Sequence, residues 1–140
     1  MYSYILQDWT TIESDYQNQR VLQAETDWLS FQPYNDITFW LEVRGINLGG
    51  GTGMTMFYDT SPTKDDSLFT AMITNGTTVA LGPPIGAAIV TPVISSLVWP
   101  TYGIPLGRWV RWRLQGSGDQ TANWGANFRI LCAANAVSAL

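Results

Sequence analysis

The first thing decided by the residues able to do chemistry is which chemistries are closed to them. Histidine is absent and cysteine occurs once, as Cys132. Histidine is the commonest general base near neutral pH. Without it, Ser-His-Asp and Cys-His arrangements are excluded, as are zinc sites built on His or on several thiolates. What survives is a pair of carboxylates, the apparatus of glycoside hydrolysis, with Glu13, Glu25 and Glu42 as candidates. Glu42 alternates with Trp40 and Arg44 along one run, where cross-strand charge pairing accounts for it. None of the three acids has the surrounding sequence that would raise a carboxyl pKa. The chain is expected not to be an enzyme and to need no cofactor.

Other polar groupings read as loops. Asp59, Asp65 and Asp66 could gather oxygen ligands for Ca²⁺. Their spacing is not that of an EF-hand, and an Asp in a turn commonly bonds its own backbone. Leu48-Gly49-Gly50-Gly51-Thr52-Gly53 lacks the Gly-Lys-Ser/Thr ending of a phosphate loop. Asn75-Gly76-Thr77 has the form of a glycosylation acceptor inside a tight turn. Cys132 reads as a small buried hydrophobe.

The most informative residues are Trp and Arg in alternation. Trp40 and Arg44 share one strand face with Glu42; Trp109, Arg111 and Arg113 share another; Arg129 lies on a third. Should these strands be neighbours, the sheet presents a Trp/Arg surface. Two readings stand at this point. One is a self-satisfied ladder in which Arg covers Trp with its own stem. The other is a recognition face, because Trp and Arg are enriched at binding hot spots.

The elements that must position these residues are strands. Ile37, Phe39, Leu41 and Val43 alternate with Thr38, Trp40, Glu42 and Arg44, the two-residue period of a strand with one buried face. Val110, Trp112 and Leu114 alternate with Trp109, Arg111 and Arg113, and Ala126, Phe128, Ile130 and Cys132 with Asn127, Arg129 and Leu131. Shorter strands are expected over 27–31, 54–58, 88–90 and 97–99. A further pair, 68–73 and 77–81, flanks Asn75-Gly76, the strongest short-range hairpin signal. No window keeps a helical period with caps. The expected fold is all-β: an antiparallel, jelly-roll-like sandwich of about eight strands with little or no helix. Residues 1–24 form an N-terminal arm or a first strand, and 25–140 a single sandwich domain.

Composition narrows the partners. Charged residues are 13% of the chain and its net charge is −4, which disfavours binding to nucleic-acid phosphates. Residues 67–107 include an uncharged run broken by five prolines, so no membrane-spanning helix is expected. No signal peptide is evident after Met1, and synthesis in a cytoplasm without secretion is expected. The apolar segments 83–87 and 98–102, with Trp99 and Tyr102, exceed what one small core absorbs. They point to contact with other subunits.

Trp28-Leu29-Ser30, Tyr34-Asn35-Asp36, Phe39-Trp40-Leu41-Glu42-Val43 and Tyr58-Asp59-Thr60-Ser61-Pro62 together resemble small β-sandwich proteins from the structural modules of tailed bacteriophages. So do Pro105-Leu106-Gly107-Arg108-Trp109-Val110-Arg111-Trp112, Trp124 and Phe128-Arg129-Ile130. The likeness runs from about residue 28 to 135 and is one of style, which carbohydrate-binding modules partly share. It implies a virion component, a capsid-decoration or minor capsid protein that docks on major capsid or other virion proteins as a homo-oligomer. The alternatives are a tail accessory protein, or a carbohydrate-binding module stacking Trp40 and Trp109 on a surface glycan. Candidate contact residues are Trp40, Arg44, Trp99, Tyr102, Trp109, Arg111 and Arg113.

Overall fold

Alternating apolar residues can bury one face only if a second layer closes over it, and in the computed structural model that layer is a second sheet. The structure describes residues 2–18, 20–30, 34–74, 77–78, 80–81, 89–99, 107–118 and 120–136. In chain order the strands are β1 (Tyr2–Ser14), β2 (Arg20–Leu22), β3 (Leu29–Ser30), β4 (Tyr34–Asn47), β5 (Gly53–Ser61) and β6 (Thr70–Ala71). They continue as β7 (Ile73–Thr74), β8 (Thr77–Thr78), β9 (Ala80–Leu81), β10 (Val93–Trp99), β11 (Trp109–Ser117) and β12 (Trp124–Ala136). Among the described residues the only helices are the single 3-10 turns Glu25–Asp27 and Asp66–Leu68. No described helix is long and apolar enough to cross a membrane.

One sheet runs β1-β12-β4-β10; the other runs β2-β11-β5-β6, with β3 also on β11 and β9 also on β5. β2 and β3 occupy one line beside β11, and β6 and β9 one line beside β5. Merging each pair leaves eight strands, four per sheet. Their order is first-last-third-sixth in one sheet and second-seventh-fourth-fifth in the other. This is the order made by rolling up one long antiparallel hairpin, and it is the double Greek key of a jelly roll. The hairpin β7–β8 leaves the fifth line between β6 and β9. It pairs Thr74 with Thr77 on either side of Asn75-Gly76, residues outside the described set.

The core fills the space between the sheets. Ile37, Phe39, Leu41 and Val43 of β4 and Phe128, Ile130 and Cys132 of β12 face Met54, Met56 and Tyr58 of β5 and Val110, Trp112 and Leu114 of β11. Rings join the layers directly. Phe39 stacks on Tyr58 at 3.9 Å between centroids, and Trp112 meets Phe128 edge-on at 5.0 Å. Gly49 and Gly50 take positive φ (59° and 86°) in the turn from β4 to β5, a conformation that costs other residues strain.

Residues 2–14 are a full strand on β12 rather than an arm. The alternation there is interrupted by register shifts between Ile5 and Gln7 and between Gln7 and Thr10. Gln23 then ties three elements. Its buried amide donates to Leu6 O (2.6 Å) and Asp27 O (3.1 Å) and accepts from Trp112 N (3.2 Å). It thereby satisfies backbone groups at the point where β2 ends.

Candidate functional site

Sheet order divides the Trp/Arg residues into two clusters on opposite sides of the molecule. Trp40, Glu42, Arg44 and Arg129 belong to the sheet of β4 and β12, whereas Trp109, Arg111 and Arg113 belong to the sheet of β11. The continuous surface that adjacency would have made does not exist, and Trp40 and Trp109 cannot flank one sugar chain.

On the β11 side the cluster is internal. Arg111, expected at a contact surface, is 1% exposed. Its guanidinium lies over Phe69 (4.0 Å) and Trp28 (5.1 Å), bonds Asp66, and pairs with Asp59 (3.5 Å). The physical reason is local. The second strand breaks at the turn carrying Trp28, the chain after β5 carries Phe69 back over the sheet, and both fold over Arg111. Arg113 is spent on the same carboxylate, with Nε 3.1 Å from Asp59 Oδ2, and rests on Phe57. Trp109 is half-buried beneath Lys64 and Arg108. The three aspartates weighed for Ca²⁺ are committed elsewhere. Asp59 and Asp66 hold arginines, and Asp65 accepts from the backbone and side chain of Ser67. Among the described residues no group of acids, Cys or His is arranged to hold a metal ion.

The outer face of the β1-β12-β4-β10 sheet is different. Across it, Ile5 pairs with Leu131, Leu131 with Trp40 and Trp40 with Ser96. The next row runs Arg129, Glu42, Ile94. Ile94 is 75% exposed, Ile5 56% and Trp40 42%. Ile5, Trp40 and Leu131 line a shallow depression of about 470 Å³. Three large apolar side chains exposed beside one another form a patch of the kind that marks contact with another molecule. Trp99 ends β10 opposite Ile37. Tyr102 and the segment 83–87 lie outside the described residues.

Beside the patch sits an ionic group of fixed geometry. Arg129 Nε donates to Glu42 Oε2 (2.8 Å) and Arg44 Nη2 to Glu42 Oε1 (3.1 Å), while both guanidiniums lie over Trp9 at 5.0 and 4.6 Å. Partial desolvation pulls the Glu42 pKa upward, but bonds and charge from Arg44 and Arg129 outweigh it and hold the acid below its ordinary value. A general acid needs the opposite shift. Arg44 reaches Trp9 because β4 bulges there: Val43 pairs with Phe128 and Gly45 with Asn127, leaving Arg44 unpaired between them. Bulges commonly re-aim one side chain in this way.

Trp9, Ile5, Leu131 and Ile94 were not singled out by the sequence. Trp9 and Ile5 sit where the register shifts of β1 erase the alternation that would have shown their face. Leu131 and Ile94 are apolar residues on strands whose other face is the core, and nothing in their type or spacing marks a contact surface.

Eight lines in two rolled sheets define a jelly-roll β-sandwich whose exposed apolar patch lies on one sheet. No family model matches the chain, and no curated protein does. Among solved structures it is similar to a chain in the structure of the infectious bursal disease virus Gx strain, at 16% identity and a TM-score of 0.48. The similarity covers 94% of this chain and 30% of the viral one, so this chain spans under a third of that chain's length.

Proposed function

We propose that the protein is a non-enzymatic structural component of a phage-like particle, a capsid-decoration or minor capsid protein. It seats on capsid subunits through the outer face of the β1-β12-β4-β10 sheet and assembles with copies of itself. The observation that carries this reading is the row Ile5–Leu131–Trp40, exposed at Ile5 and Trp40, with exposed Ile94 beside it. Covering such side chains is worth about 25 cal/mol per Å², and a partner that binds only the folded state stabilises it by mass action. The low charge of the chain, 13% of residues, fits a surface partly covered in an assembly, since charge keeps lone proteins apart. A tail accessory role would use the same face.

Sedimentation of purified particles with the added protein is the test. The wild type is expected to pellet with particles, and Trp40→Ala to weaken binding by about 2 kcal/mol, the cost of a hot-spot aromatic. Separate head and tail fractions distinguish the decoration reading from the tail reading. A wild-type chain that stays in the supernatant at every particle concentration removes both.

A further inference from the structure

Past the Arg44 bulge, the same sheet changes character. Thr11 pairs with Asn127 and Asn127 with Gly45; one row on, Glu13 pairs with Gly125 and Gly125 with Asn47. These six residues, with the apolar Ile12, Ile46 and Ala126, line a separate groove of about 330 Å³, at the lower end of the range for small-molecule sites. Rows two residues apart on three strands give it a floor of about 7 by 10 Å.

The two glycines differ in cause. A Cβ on Gly125 would fall on the carbonyl of Ile12, so strand packing alone demands that glycine. A Cβ on Gly45 would meet nothing closer than Asn127 Cβ at 3.6 Å, an ordinary contact. That glycine follows the Arg44 bulge, a common place for glycine within a strand, and its missing side chain leaves the groove floor open.

The walls select the ligand. Asn127 Nδ2 donates to Thr11 Oγ1 (2.7 Å) and Asn123 Nδ2 to Glu13 Oε1 (3.2 Å). Each bond fixes a side chain while leaving the Thr11 hydroxyl proton, the Asn127 carbonyl and the second Glu13 oxygen without a partner among the described residues. No basic side chain lines the groove and one carboxylate does, which repels phosphates and other anions. An apolar ligand would strip water from these groups without replacing its bonds. A neutral polyhydroxylated ligand replaces them in kind. We propose that this groove is a binding site for a neutral sugar residue of a glycan, independent of the apolar patch and of the particle role.

The test is a neutral-glycan array followed by titration of the best oligosaccharide into the full chain. Wild type is expected to bind. Asn127→Ala, which removes a wall group, should weaken binding about tenfold, the value of one lost hydrogen bond of good geometry, and Gly45→Val, which fills the floor, should weaken it at least as much. Both should keep the wild-type melting temperature; if Gly45→Val lowers it, Asn127→Ala alone decides. Trp40→Ala should bind sugar normally while losing particles. The proposal fails if no neutral glycan binds at millimolar concentration, if both groove variants bind like wild type, or if Trp40→Ala abolishes glycan binding.

Discussion

Tyr58 carries its hydroxyl into the core, where it has no hydrogen-bond partner among the described residues. Burial pushes its pKa well above the ordinary value, with Cys132 adding to the effect. A buried group left unpaired forfeits its hydration, at about 1–3 kcal/mol. Tyr58→Phe keeps the stack on Phe39 and should leave stability unchanged or raise it by about 1 kcal/mol in urea unfolding. Cys132 faces the same core, and burial lifts its thiol to about 12 from an ordinary 9.0. The sign follows from linkage: an unfolded thiol ionises first, so stability falls as pH climbs from about 9 towards 12. Unfolding curves at rising alkaline pH should show a shallower decline for Cys132→Ala than for wild type. The native thiol should also resist iodoacetamide until the chain unfolds. Glu42 runs the other way. Its lowered pKa gives stability that is present above 4.5 and lost as pH falls through the folded value. A Glu42→Gln variant should flatten that acid limb.

At the scale of elements, the buried Arg111–Asp59 pair locks two excursions, the turn after β2 and the segment after β5, onto the sheet. Removing one partner of a buried pair leaves the other charge uncompensated, at about 3–5 kcal/mol. Asp59→Asn should cost about 3 kcal/mol, because Arg111 keeps Asp66. Asp66→Asn should cost under about 1 kcal/mol, because that carboxylate is largely in water. Denaturant midpoints of the two variants check the contrast. The same pair shows where sequence reading stops. The strands around Ile37, Val110 and Phe128 were legible because their alternation is unbroken and their inner residues are all core. The position of Arg111 obeyed that alternation too, and pointed away from the core. That Trp28 and Phe69 would close over it depends on segments with no periodic pattern. The split of the Trp/Arg residues between two sheets depends on strand order, which a one-dimensional pattern does not contain. β1 was legible only in part, since its two register shifts disguise a strand as irregular chain.

At the scale of the whole molecule, the two outer faces have different fates. One is roofed by its own loops and arginines; the other presents Ile5, Trp40 and Ile94 to solvent. An asymmetry of this kind predicts one-sided association. Hydrogen exchange on the particle-bound protein should slow amides of β4 and β10 and leave β5 and β11 as in the unbound chain. Gln23 matters at this scale because it bridges the two sheets at their edge. Gln23→Ala strands the Leu6 carbonyl and the Trp112 amide and should cost about 2–3 kcal/mol by thermal or urea melting.

The strand that enters last, β12, lies between the one that enters first and β4. During synthesis its two neighbours have no partner on that side until the closing residues leave the ribosome. Pairings this distant along the chain form slowly, and the edge of β4 that β12 will pair waits open meanwhile. Nascent chains halted before Trp124 should therefore be trapped by chaperones or aggregate, while those extended past Ala136 should fold.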